Sequence, residues 1–285
     1  MKTSRLIKSV SRSKRTIEGA GVKLKRAFGH AEVPLFDPFL MLDDFHSDKP
    51  EDYIAGFPWH PHRGIETVTY MISGEVEHGD SMGNKGIIRS GEVQWMTAGS
   101  GIIHQEMPKR QKGTLWGLQL WVNLPASHKM MNPRYRDIRA QDIPEFKTES
   151  GAVVKVIAGR VNGVQGPVKD IILDPEYLDV AVPAGGRFEH SIKRSHNVFA
   201  YVLVGKGFFD PRNKDELSAE QLILFDGGDE VSAVAGEAGL RFLLVSGQPI
   251  KEPVAWSGPI VMNSEAELSL AFEEYRNGTF IKFRG

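Results

Sequence analysis

Two pairs of residues with metal-ligating side chains occur at the same spacing. One lies in Phe57-Pro58-Trp59-His60-Pro61-His62-Arg63-Gly64, the other in Gly99-Ser100-Gly101-Ile102-Ile103-His104-Gln105-Glu106. Residues two apart on a β-strand project from one face. His60 and His62 therefore present two imidazoles to one point, and His104 and Glu106 present an imidazole and a carboxylate. If both strands line one small barrel, three nitrogens and one oxygen converge. That donor set, free of thiolate, suits a divalent first-row transition metal better than calcium or magnesium, with iron the first choice. Gly99 and Gly101 allow the backbone to approach closely at a barrel rim. Glu66 is a rival carboxylate, because positions 60, 62, 64 and 66 can share a face of one strand. Spacing does not separate it from Glu106. His30, His46, His78, His128, His190 and His196 have no partner at ligand spacing and read as surface or hydrogen-bonded core groups.

The elements that must position these groups are short and β-rich. Glu66 to Ile72, Leu118 to Leu124, Val198 to Val204 and Leu240 to Val245 are β-rich runs, with period-two alternation plainest at Leu118 to Leu124, bounded by many of the thirty glycines and sixteen prolines. Such runs indicate an all-β sandwich or barrel. Helical signal is weak until Glu265 to Tyr275, where Asn263 or Ser264 can cap a helix that Asn277-Gly278 stops. Val68-Thr69-Tyr70-Met71-Ile72-Ser73-Gly74 is echoed 131 residues later by Phe199-Ala200-Tyr201-Val202-Leu203-Val204-Gly205. The echo suggests a duplicated domain joined near 135–150, with Pro133 to Pro144 as linker. In the second copy the positions matching the four candidate ligands are Ser191, Lys193, Ala233 and Ala235, which cannot hold a metal.

Composition narrows the function classes. The 285 residues, 41% hydrophobic and 25% charged, describe an ordinary globular chain. The net charge of −1 provides no field for a phosphate backbone, so no direct nucleic-acid partner is expected. The basic arm from Lys2 to Arg15 reads as a first strand with a solvated face. The absence of cysteine excludes disulfides, zinc-thiolate sites and cysteine nucleophiles. No run approaches the roughly 20 apolar residues of a membrane helix, and no secretory signal is evident. A cytoplasmic address is expected, or a nuclear one in a eukaryote.

Taken together, the His-x-His-x₃-Glu segment and the glycine-rich segment ending in His104 resemble the cupin signature. The closer resemblance is to the pirin family of bicupins. It is carried by Phe57 to Val68, Gln94 to Pro108, Leu120 to Pro125, Pro133-Arg134-Tyr135, Glu252-Pro253-Val254 and Gly258 to Asn263, nearly the whole length. The resemblance implies two cupin domains, at 1–135 with the metal and at 136–285 without one but with the terminal helix. It implies His60, His62, His104 and Glu106 as ligands of a single Fe(II), although other divalent ions suit the same donors.

It also implies quercetin 2,3-dioxygenase activity, with a flavonol and O₂ as substrates of a monomeric enzyme. Glu106 is then the natural base and Glu66 the reserve; Phe57, Trp59, Trp95 and Met96 are the expected cavity lining. Glu66, Gln94 and Gln105 are the expected partners for the second nitrogens of the imidazoles. The alternative is a redox-sensing iron protein that modulates a transcription factor or metabolic enzyme; a non-oxidative metal cupin is a weaker third reading.

Overall fold

The computed structural model describes residues 2–212 and 215–283. Strands dominate, and among the described residues the one α-helix is α1 (Glu265–Arg276). Ser264 caps it: the hydroxyl accepts the Glu267 N–H, and the Glu267 carboxylate accepts the Ser264 N–H. No described helix is long and apolar enough to cross a membrane.

The chain forms two units, and neither is a continuous half. Lys14–Ala140 with Ile250–Gly285 make one; Met1–Ser13 with Gln141–Pro249 make the other. The join thus falls within the expected 135–150 interval, but both chain ends depart from the expected 1–135 and 136–285. Strand β1 (Ile7–Arg12) pairs with Gln221–Phe225 of the second unit, and helix α1 belongs with the histidines. A strand can complete any sheet edge that matches its pattern, so a reading along the chain does not reveal such an exchange. The exposed basic side chains of β1 match the solvated face expected of it. The second unit is a nine-stranded sheet closed over apolar side chains including Val154, Leu178, Phe188, Val202, Phe242 and Leu244. Ala233 and Ala235 belong to that core, while Ser191 and Lys193 are exposed.

The histidine-bearing unit consists of two facing antiparallel sheets. Strands β2 (Lys14–Glu18), β3 (Val22–Phe28), β4 (Phe39–Ser47), β6 (Ile65–Ser73), β9 (Val93–Thr97), β11 (Leu115–Asn123) and β12 (Arg134–Ile138) form the larger, in the order β12-β9-β6-β11-β4-β3-β2. Strands β5 (Phe57–His62), β7 (Glu75–Asp80), β8 (Lys85–Arg89) and β10 (Ile102–Pro108) form the smaller, in the order β5-β10-β7-β8. Val22, Leu24, Phe45, Met71 and Leu115 of the first meet Val76 and Ile88 of the second. Each such side chain contributes about 1.5–3 kcal/mol on burial, which holds the sheets together without help from the metal.

Gly64 decides which residues share the site. Its φ is +79°, and a Cβ there would lie 1.9 Å from the Val261 carbonyl oxygen. A side chain fits neither the backbone conformation nor the space. The chain turns here, so β5 ends at His62 and β6 starts at Ile65 in the opposite sheet. Lys129 braces the turn, its buried ammonium donating to the Gly64 and Val261 carbonyls at 2.9 and 3.1 Å and to Asn123 Oδ1 at 2.7 Å.

Candidate metal centre

Strands β5 and β10 are neighbours, with His60 opposite His104 and His62 opposite Ile102. One ligand nitrogen from each of His60, His62 and His104 lies within 4.8 Å of the others. The ring centroids are 4.3 Å apart for His60 and His104, 4.8 Å for His60 and His62, and 5.0 Å for His62 and His104.

Local bonds aim these rings. His60 donates Nδ1–H to the Pro58 carbonyl at 2.8 Å, and His62 donates Nδ1–H to the Pro259 carbonyl at 2.9 Å. A carbonyl only accepts, so each Nδ1 carries a proton, which leaves Nε2 as the nitrogen available to a metal. The two Nε2 atoms are 3.1 Å apart. Without a proton or a metal ion between them two lone pairs at that distance repel; the spacing is also that of nitrogens at right angles on an ion about 2.1 Å away. His104 is fully buried, and neither of its ring nitrogens has a hydrogen-bond partner. Orphaned buried polar groups cost about 1–3 kcal/mol each, a cost that coordination removes. On these grounds the three residues fit a transition metal.

Burial pushes the His62 pKa down to about 3, with His60 acting in the same direction, and burial likewise holds His104 well below the usual histidine range. Both are neutral at pH 7, the form that binds metal. In the metal-free protein the folded state therefore resists a proton that unfolded His62 accepts near pH 6.5. The stabilisation is full above pH 6.5 and is lost as the pH falls toward 3. The unfolding free energy of chelator-treated protein, from denaturant titrations between pH 7 and 4, is expected to fall by about 1 kcal/mol per pH unit relative to His62→Leu. An equal slope in both proteins contradicts this assignment.

Glu106 lies on the same inward face of β10 but outside the imidazole trio. Its Oε1 accepts from Thr69 Oγ1 and its Oε2 from Gln119 Nε2, both at 2.8 Å. Each oxygen keeps a further lone pair. Glu66 is elsewhere. The turn at Gly64 places it on the face of β6 opposite that of Thr69, where Thr97 Oγ1 donates to it at 2.6 Å and burial raises its pKa. The expectation that positions 60 to 66 share one strand face is thus corrected, and with it the reserve-base role of Glu66.

A cavity of about 610 Å³ opens beside His60 and His62. Phe57 and Trp59 line it as expected, together with Trp121, Trp256 and Pro259. Trp95 and Met96 do not. Trp95 pairs with Val68 on the outward face of β9, and Met96 packs with Ile65, Ile102 and Trp121 in the core. The imidazole partners also differ from expectation, being main-chain carbonyls rather than Glu66, Gln94 and Gln105. Pro259 is 197 residues from His62, so no local spacing signals it. His78, read from sequence as isolated, is buried 5.4 Å from the His104 ring and contacts Asp80 at 3.3 Å. The His78-x-Asp80 spacing was the available signal.

Arg63 ties the site to the C-terminal segment. Its guanidinium donates to the Ser100 and Phe280 carbonyls, each at 2.8 Å, pairs with Glu274 at 2.7 Å and lies 4.2 Å from the centre of the Phe280 ring. It thereby joins the end of one histidine strand to the loop that starts the other.

A two-barrel, all-β chain with an inward histidine trio in one barrel is a bicupin, and among the described residues that trio is the one candidate metal centre. The model described as Pirin matches residues 21–122, and that described as Pirin C-terminal cupin domain matches residues 177–281. The chain belongs to the pirin family. It is 45% identical over 265 residues to a Pseudomonas aeruginosa protein named "Putative quercetin 2,3-dioxygenase PA3240", covering 92% of this chain and 93% of that one. It is 44% identical over 266 residues to a pirin-like protein of Caulobacter vibrioides, covering 93% and 95%. The crystal structure of quercetin 2,3-dioxygenase from Acinetobacter baumannii superposes with a TM-score of 0.89 at 32% identity, covering 97% of this chain and 98% of that one.

Proposed function

We propose that this pirin is an Fe(II)-dependent dioxygenase that cleaves flavonols such as quercetin with O₂, at a mononuclear site held by His60, His62, His104 and Glu106. The supporting observation is the pair of Nε2 atoms 3.1 Å apart beside orphaned His104, at the wall of an aromatic cavity. The cavity volume falls within the roughly 300–1,000 Å³ that takes a small organic ligand. Relatives bearing the quercetin dioxygenase name support the same chemistry. Mixed imidazole and carboxylate donors leave iron redox-active with open positions, and that ion supplies the binding of dioxygen and of the substrate oxygens.

The protein's own groups do the rest. The Pro58 and Pro259 carbonyls fix the imidazole tautomers. Thr69 and Gln119 hold the Glu106 carboxylate, Gln119 being also a wall of the cavity, and Glu106 receives the proton of the flavonol 3-hydroxyl. Trp59, Trp121 and Trp256 flank a planar ligand and displace water from its faces. Loss of the 3-hydroxyl proton makes the heterocycle electron-rich toward O₂, and carbon monoxide leaves as the ring opens.

Oxygen uptake and carbon monoxide release by iron-loaded protein with quercetin test the proposal. Both are expected in the wild type, and both are expected to fall at least about 100-fold in Glu106→Gln, the range for losing a positioned proton acceptor. No uptake by protein holding one iron per chain overturns the enzymatic reading in favour of redox regulation.

A further inference from the structure

The inward face of the larger sheet carries cross-strand rows of contrasting character. One row runs Met96, Thr67, Trp121, Met41, and another runs Met71, Gly117, Phe45; both are largely apolar. The row between them is wholly polar. It runs Gln94, Thr69, Gln119, Asp43, Arg26, each residue directly opposite the next on strands β9, β6, β11, β4 and β3.

The two ends of this row differ in what they hold. At the inner end, Thr69 and Gln119 grip Glu106 from the facing sheet. At the outer end, Arg26 forms a bidentate fork on Asp43, Nε to Oδ1 and Nη2 to Oδ2, both at 2.8 Å, and reaches Glu18 at 2.9 Å. Gln119, Asp43 and Arg26 all line the cavity, alongside Met41 and Trp121 of the apolar row. The cavity therefore has an aromatic face and a polar edge leading away from the candidate metal ligands.

Stability does not explain that edge. Asp43 is 4% exposed, and burial raises its pKa against the opposing pull of Arg26. Replacing a buried ion pair with apolar side chains is commonly neutral or stabilising, and the flanking rows show that apolar side chains fit this sheet. A polar strip that opens onto a ligand cavity instead fits recognition of an oxygen-bearing ligand edge.

We propose that the Arg26–Asp43 pair determines substrate specificity by recognising a phenolic hydroxyl at the end of the ligand remote from the imidazoles. Asp43 accepts the hydroxyl's hydrogen. Arg26, whose five N–H groups exceed those used by Asp43 and Glu18, donates to the hydroxyl oxygen. The favoured ligands are flavonols hydroxylated on a ring beyond the chelating oxygens, an inference that rests on the flavonol reading above. A site built for a hydroxyl discriminates against the analogue lacking it, because its buried polar groups are then left unpaired.

Anaerobic titration of iron-loaded protein with quercetin and with 3-hydroxyflavone, which keeps the chelating oxygens but has no other hydroxyl, tests the assignment. The wild type is expected to bind quercetin at least about tenfold more tightly, the smallest step that one well-placed polar contact makes. Asp43→Asn and Arg26→Lys, the latter keeping the charge but not the fork, are expected to bring the ratio toward one. Iron content should stay at the wild-type value, and the Kd for quercetin should rise more than that for 3-hydroxyflavone. Equal affinities in the wild type, or a parallel loss of both ligands in the variants, overturn the specificity role alone. Failure of the wild type to bind either compound overturns the flavonol reading along with it.

Discussion

His104→Ala is expected to abolish metal binding while leaving the metal-free fold close to wild-type stability. Removing an outer hydrogen-bond partner of a ligand already costs about 10–100-fold in metal affinity; removing a ligand from a trio should exceed that range. The stability side is less obvious. Truncating a buried side chain ordinarily costs several kcal/mol through lost contacts and a cavity. Here the deleted group is a fully buried imidazole with both nitrogens unpartnered, and relief of that desolvation offsets the lost packing to within about 1 kcal/mol. Metal analysis after loading, combined with melting of the loaded and stripped proteins, checks both parts. The wild type should gain stability on loading and the variant should not. A variant that still retains one ion per chain contradicts the assignment of His104.

Arg63→Ala is expected to have the opposite signature, with a large loss of fold stability and a secondary loss of metal affinity. The guanidinium is 2% exposed, and its loss strands two main-chain carbonyls and leaves Glu274 with Lys282 as its remaining ion-pair partner. Leaving a buried acceptor unsatisfied costs about 1–3 kcal/mol, and two carbonyls lose their donor here. Because Arg63 adjoins His62 and grips the Ser100 carbonyl four residues before His104, the two histidine strands also lose their tie, and metal affinity should fall about 10–100-fold. Denaturant unfolding of the stripped protein and competition with a chelator measure the two effects separately. A loss below about 1 kcal/mol contradicts this role, and Arg63→Lys, which keeps charge without the fork, should lie between wild type and alanine.

The histidine trio was legible in the sequence because strand periodicity is strict. Two His at i and i+2 must share a face, and the glycine-rich approach to His104 marked a tight rim. The all-β architecture and the terminal helix followed from equally local signals, the alternating runs and the Ser264 cap. What escaped depends on contacts between distant segments. The exchange of β1 and α1 between units leaves no trace in either segment's own pattern. The carbonyl that orients His62 belongs to Pro259, and main-chain oxygens carry no residue-type signature. Glu66 was misplaced because parity along a strand was carried through Gly64, the residue whose positive φ ends the strand. Trp95 was misplaced for a related reason, since composition alone does not tell the two buried faces of β9 apart. The polar row from Gln94 to Arg26 involves five strands, and its members become neighbours only once the register is known.

X-ray absorption at the metal edge, on protein purified without chelators and reloaded with ferrous iron, tests the central claim most directly. One ion per chain is expected, bound by three imidazole nitrogens and a carboxylate oxygen at about 2.0–2.2 Å, the distances typical of such donors. The imidazole signal should drop by one in His60→Ala and the carboxylate signal should vanish in Glu106→Gln. An ion whose spectrum is unchanged by these substitutions, or a chain that takes up no iron at saturation, contradicts it.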